Sequence, residues 1–276
     1  LDSDGLTLPE DLLEDGSLKA GLSLSSPEVL GRFEAFLDWL IPILEQEEVW
    51  GIALGNEVDL PVEDSLATAQ EARIFFETGL ARVDMLDEDM ATSVTFTPAA
   101  PSRFGAEFST LIGAMDIVTF NYYCLDENLQ VTRKTRWDSD VRDFKAAAEG
   151  KQIFIQELGC PVGYGDDGAG APNRPANGLM GASDIQVEFF EDMTARVATD
   201  PQLRAATVFQ LLDWSPSLAR SFSDPVRDAG FPLAADRLEE WLATVGLCRW
   251  ADAICRDAWP VFLEGVEDIR AARPDG

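Results

Sequence analysis

The 276 residues contain no histidine. This excludes catalytic triads built on imidazole and metal sites that need a His ligand, and with them the common zinc hydrolase motifs. Acid–base chemistry must run on carboxylates, Tyr, Cys or Lys. Lysine is scarce as well. Lys19, Lys134, Lys145 and Lys151 are the only four among 21 basic residues, and 50 acidic residues bring the formal net charge to −29. A chain so short of positive charge has no basic stripe for phosphates, which argues against nucleic acid and anionic membranes as partners. The four cysteines form no CxxC pair, so neither a metal knuckle nor a dithiol redox motif is suggested. Cys248 and Cys255 are close enough in sequence for a disulfide; free buried thiols are the alternative. No apolar run reaches the roughly 18 residues of a membrane-spanning helix. No Gly-rich phosphate turn follows any apolar run, which counts against a dinucleotide site.

What is present is enough to build a core. Hydrophobic residues make up 46% of the chain, and the length fits one large domain or two small ones. The acidic excess keeps a protein soluble when salt screens it. It suits either a salt-adapted protein or an acidic proteome, and it does not speak to fold.

The pattern along the chain alternates between strands and helices. The first 26 residues read as loop. Ser26-Pro27-Glu28 is an N-cap followed by Pro at the first helical position, and the spacing predicts a helix to about Gln46, with Pro42 as a kink or break. Short apolar runs predict strands over Val49–Leu54, Thr92–Thr97, Asp116–Tyr123, Gln152–Gln156 and Arg204–Leu212. Helices are expected between and after them: Ser65–Leu86, Phe104–Ala114, Asp138–Glu149, Ser183–Ala198, Leu233–Thr244 and Pro260–Ala272. A Gly/Asp/Pro-rich stretch from Cys160 to Gly181 interrupts the rhythm, and loops of such length inside compact domains are often functional. Asp166 and Asp167 lie in it, and are read as facing water.

Strands alternating with helices imply parallel βαβ units. The unusual polar residues all sit at strand C-terminal ends: Asn56-Glu57, Asn121-Tyr122-Tyr123, Glu157 and Asp213-Trp214. In a (β/α)8 barrel the active site lies at that face, and in a doubly wound sheet ligands bind there too. The missing Gly-rich turn favours the barrel. Glu57 and Glu157 are the sharpest features, because packing alone does not call for a Glu directly after a buried strand. Either one alone could be an ion-pair partner at a strand end; two in the contexts GNE and QELG point to paired-carboxylate chemistry.

In these contexts the chain resembles the C-terminal portion of clan A glycoside hydrolases, the retaining (β/α)8 enzymes that include cellulases, mannanases and β-galactosidases. WGIALGNEVD (Trp50–Asp59) is similar to the clan's fourth strand, which ends in Asn and the acid/base Glu. IFIQELG (Ile153–Gly159) is similar to the seventh, which ends in the nucleophile. The 100 residues between the two glutamates suit three βα units of about 33 residues each. The resemblance implies Glu57 as acid/base and Glu157 as nucleophile. It implies Asn56 on the sugar 2-hydroxyl and a Tyr from the sixth strand bonding the nucleophile, for which Tyr123 is chosen over Tyr122. Asn121 shares the face of Tyr123, and Trp214 would lie under the substrate sugar. Tyr164 and Trp137 are further candidate subsite aromatics. No cofactor and no metal is implied.

On this reading residues 1–276 form one partial barrel domain carrying strands four to eight. Strands one to three, and the Arg the clan takes from its second strand, have no counterpart here. The chain is then a fragment, one half of a two-chain barrel, or an incomplete barrel standing alone and prone to self-association through its open edges. The expected function is a retaining β-glycosidase with a carbohydrate substrate; the alternative is a non-catalytic carbohydrate-binding or interaction module. A secreted or periplasmic location is favoured over a cytoplasmic one.

Overall fold

A computed structural model describes residues 9–14, 17–47, 49–164, 179 and 182–273. The chain divides into two compact units. Residues 1–121 and 143–154 form the first; residues 122–142 and 155–276 form the second. Three elements, one helix and two strands, run from one unit into the other.

The first unit opens with a 3-10 turn at Glu10–Leu12 and a two-stranded antiparallel ribbon, β1 (Leu13–Glu14) and β2 (Ser17–Leu18). Helix α1 (Pro27–Gln46) starts where the Ser-Pro-Glu signal places it. It runs through Pro42, whose carbonyl accepts a bond from Gln46 Nε2 at 2.8 Å. Strand β3 (Gly51–Ala53) is followed by a short helix α2 (Leu60–Glu63) and by α3 (Ala69–Leu86). The predicted start of α3 at Ser65 is four residues early. Ser65 has a φ of 60°, outside the helical region, and Thr68 closes a full capping box with Glu71.

The predicted strand over 92–97 is two segments, β4 (Ala91–Ser93) and β5 (Thr95–Phe96). They divide at Val94 because they serve different partners: β4 pairs parallel with β3, and β5 pairs parallel with β6 (Ile117–Tyr123). Helices α4 (Ala100–Phe104) and α5 (Ala106–Gly113) fill the crossover between them. Helix α6 (Lys134–Ala147) and strand β7 (Gln152–Gly159) then pass between the units. Within the first unit β7 follows β6 in the sheet order.

The core of this unit has a simple origin. One stripe of α1, with Leu37 and Ile41, meets Val83 of α3 and Met90, and Phe33, Leu44, Ile52 and Leu54 pack around them. Phe120 on β6 stacks on Phe144 of α6 at 4.5 Å between ring centroids. Helix α1 carries a second apolar set, Phe36, Trp39 and Ile43, that is exposed.

In the second unit the ends of β6 and β7 are followed by β8 (Leu203–Val208), with α7 (Ser183–Thr199) between β7 and β8. The strand predicted to Leu212 thus ends at Val208. Beyond it Leu212 makes only an isolated parallel bridge to Cys248. Helix α8 (Pro216–Asp228) is absent from the sequence reading. Its start signal is plain, since Ser215 caps it and Pro216 opens it, and it runs through Pro225. Helix α9 (Pro232–Leu242) and α10 (Ala258–Ala272) complete the unit. Helix α10 packs on α7, whose buried face carries Ile185, Phe189, Phe190, Met193 and Val197.

All four cysteines are paired. Cys248–Cys255 closes a loop of seven residues' separation, and Cys124–Cys160 joins the chain just past β6 to the chain just past β7. The second pairing was not foreseen. Its signal is the position of each cysteine directly after a strand that carries a candidate site residue, Tyr123 or Glu157.

Candidate active site

Glu57 is built into the first unit by the turn that follows β3. Leu54 N–H donates to Ser93 at 2.9 Å, Thr95 N–H to Gly55 at 2.9 Å, and Val58 N–H to Thr95 at 3.1 Å. The turn therefore docks onto β4 and β5 on both sides of Glu57. Glu57 itself has a φ of 51°, the left-handed region that a residue with a Cβ enters at a cost.

Asp59 fixes the far side of the turn. It is fully buried and accepts bonds from Thr97 N–H at 2.8 Å, from Thr97 Oγ1 at 2.6 Å and from Arg103. Arg103 also reaches Glu63 on α2. A buried carboxylate is tolerated when its lone pairs are this well occupied. Sequence reasoning missed Asp59, Thr97 and Arg103. The trace of the first lay in the Asp two places after Glu57.

Asn121 on β6 is buried, and its Nδ2 donates to Asn56 Oδ1 at 3.0 Å and to Glu57 Oε1 at 3.1 Å. Its Oδ1 is buried with no hydrogen-bond partner among the described residues. Below it on the same strand face, Thr119 bonds the hydroxyls of Ser93 (2.7 Å) and Thr95 (3.1 Å). The first unit thus brings together Asn56, Glu57 and Asn121, three of the sequence candidates, on a bed of buried hydroxyls.

Tyr123, Glu157 and Trp214 belong to the second unit. Glu157 lies within β7 and is half-buried. The Tyr123 hydroxyl donates to Glu157 Oε2. The next residues of β7 are tied down too, with Phe209 N–H donating to the Leu158 carbonyl at 3.0 Å. The ring of Tyr123 meets Phe209 and Trp241 edge-on, at centroid distances of 5.4 and 4.8 Å. Gly159 makes room for it. A Cβ at that position would lie 3.0 and 3.1 Å from two Tyr123 ring carbons and 2.8 Å from Val245 Cγ2.

Tyr122 points elsewhere. Its hydroxyl donates to Asp140 at 3.0 Å. Burial first, and then the Asp140 carboxylate, push its phenol well above the ordinary value. Alternation along β6 therefore gives Tyr122 to the core and Tyr123 to Glu157.

Trp214 lies beyond β8, in the turn before α8, and its ring meets Phe222 at 4.5 Å. It is partly buried and joins Tyr164, Phe209, Leu238 and Trp241 around Ala219, Leu242 and Ala243. Neighbouring Asp213 is committed to structure. It is buried, paired with the Arg256 guanidinium at 2.8 and 3.0 Å, and accepts Gly246 N–H at 2.9 Å. Trp137 is a correction to the sequence reading. It is fully buried, its Nε1 donates to Thr132 at 3.0 Å, and its ring packs on Phe189. It belongs to the core and is not available as a subsite aromatic. Asp166 and Asp167 lie outside the described residues. Trp241 and Phe209, the aromatics against Tyr123, were not singled out in the sequence, because helix α9 and the residue after a strand carry no motif of their own.

No protein-family model and no curated protein sequence matches the chain. Solved structures do match. An FMN-binding β-glucuronidase from Facaelibacterium prausnitzii L2-6 aligns with a TM-score of 0.57 and 16% identity, over 87% of this chain and 32% of its own. A Bacteroides uniformis β-glucuronidase aligns with 0.52 and 15%, over 91% and 27%. A glycoside hydrolase family 17 β-1,3-glucanosyltransferase from Rhizomucor miehei aligns with 0.51 and 16%, over 87% and 74%. The chain thus spans about a third or less of the two glucuronidases. At these identities the likeness is one of fold: parallel sheets with helical crossovers, shared with glycoside hydrolases.

Proposed function

We propose that this chain carries the catalytic carboxylates of a retaining β-glycosidase acting on a poly- or oligosaccharide. The observation that carries the reading is the bond from Tyr123 to Glu157 within β7. A phenol donor on a carboxylate stabilises its charged form, which is the form a nucleophile needs.

Glu157 attacks the anomeric carbon, and the bond to the leaving oxygen breaks. Glu57 delivers its proton to that oxygen. Water then gives a proton back to Glu57 and attacks the glycosyl-enzyme, releasing the sugar with its configuration retained. Asn56 bonds the 2-hydroxyl and Trp214 lies under the ring. Asn121, which donates to both Asn56 and Glu57, aligns the acid/base. The mechanism requires the two carboxyl groups about 5–5.5 Å apart. It also requires Glu57 to hold its proton before the first step and to lose it before the second.

The domain is read as a single barrel from its fourth strand onward. The exposed Phe36, Trp39 and Ile43 of α1 are then the surface on which further barrel units, in this or another chain, would pack. Two disulfides among four cysteines suit maturation in an oxidising compartment.

The test is hydrolysis of aryl β-glycosides, with the anomer of the first-formed product read by NMR. Glu157→Gln is expected to lower kcat by a factor on the order of 10⁴. Equal rates for the two proteins would instead favour the reading as a carbohydrate-binding module.

A further inference from the structure

We propose that the Cys124–Cys160 disulfide is a positioning device for Glu157. The inference rests on the reading of Glu157 as nucleophile, but its geometry stands independently. Tyr123, the last residue of β6, is followed at once by Cys124, and Glu157 is followed by Leu158 and Gly159, which end β7, and then by Cys160. The disulfide therefore joins the two strands just beyond the Tyr123–Glu157 bond.

Strand ends are where a sheet frays, because no ladder continues past them. Here the staple is anchored on each side. Cys124 N–H donates to the Gly159 carbonyl at 3.1 Å, and Thr132 N–H donates to the Cys124 carbonyl at 2.7 Å. Gln186 Nε2 donates to the Cys160 carbonyl at 2.7 Å. Both sulfurs belong to fully buried residues. The Tyr123 ring is meanwhile pressed against the backbone at Gly159. A small separation of the strand ends would carry the Tyr123 hydroxyl off the carboxylate, since a hydrogen bond fades within a few tenths of an ångström beyond its usual range. The staple keeps the donor in place while the strand ends carry the loops that follow.

The experiment compares the full chain with C124A/C160A, with Tyr123→Phe and with C248A/C255A as a control that removes the other disulfide. The Glu157 carboxyl is titrated by ¹³C NMR without substrate, assigned through Glu157→Gln, and aryl β-glycoside hydrolysis is measured alongside. C124A/C160A is expected to move the Glu157 midpoint upward by about half to one pH unit, in the direction of Tyr123→Phe, and to lower kcat roughly tenfold with KM little changed. C248A/C255A moves neither, though both double variants melt earlier. A Glu157 midpoint in C124A/C160A equal to that of the unmodified chain overturns the inference. If the alanine pair does not fold, the volume-filling C124A/C160V takes its place. A midpoint that shifts in a chain that hydrolyses nothing supports the positioning role and defeats the glycosidase reading.

Discussion

Glu57 leaves β3 on a turn with a φ of 51°, whereas Glu157 lies inside a regular strand. The first is held by a network of polar bonds beside the buried side chain of Val58. Asp59, Thr97 and Arg103 clamp the turn, and Asn121 reaches the carboxylate from β6. The second is held by its strand, by one phenol and by a covalent staple three residues on. In the first unit Asn121 donates to Glu57, and in the second Tyr123 donates to Glu157. The difference lies in what keeps the backbone still: buried charge in one unit, a disulfide and close packing in the other. A strained turn needs several bonds to over-determine it. A strand needs only to be stopped from fraying.

The comparison can be broken most severely at Asp59. Asp59→Ala leaves Arg103 without its buried partner, and the expected loss is about 3 kcal/mol in chemical denaturation. On the proposed reading, aryl β-glycoside hydrolysis should fall further than the stability loss explains, because the turn under Glu57 loosens. A loss below about 1 kcal/mol would show that the turn is held by something other than this network.

Gly159→Ala probes the other region. The added methyl meets Val245 and the Tyr123 ring, and overpacking of this kind costs about 1–3 kcal/mol. Thermal melting and kcat should fall together. A variant that melts and turns over like the unmodified chain would mean that Tyr123 has room to move.

The smallest effect is a difference of sign. Glu57→Gly relieves the left-handed backbone and should stabilise the chain by about 1 kcal/mol while removing the acid/base group that the proposed mechanism needs. Glu157→Gly, in a strand, should instead cost roughly 0.5–1 kcal/mol. Matched denaturant midpoints measure both. Destabilisation by both changes would remove the contrast between a strained turn and a relaxed strand.

Much of this was legible in the sequence. The start of α1 followed from Ser26-Pro27-Glu28, and the strands at β6 and β7 followed from apolar runs that end abruptly in polar residues. These signals are local, so one chain suffices to read them. The divided strand at Val94 was not legible, because β4 and β5 differ only in which neighbour they pair with. Helix α8 was not read, although Ser215 and Pro216 mark its start. Trp137 looked like a subsite aromatic and proved to be core, since exposure is not written in residue type.

By itself the sequence determined the chemistry available. Without histidine, acid–base chemistry was left to carboxylates, Tyr, Cys or Lys, and strand patterning put Glu57 and Glu157 at expected strand ends. Tertiary structure decided what each carboxylate touches. The bond of Tyr123 to Glu157, the clamp of Asp59 by Arg103 and the pairing of Cys124 with Cys160 all join residues far apart in the chain. Such contacts are fixed by strand register and by which face a side chain occupies, and a one-residue slip in register would exchange them.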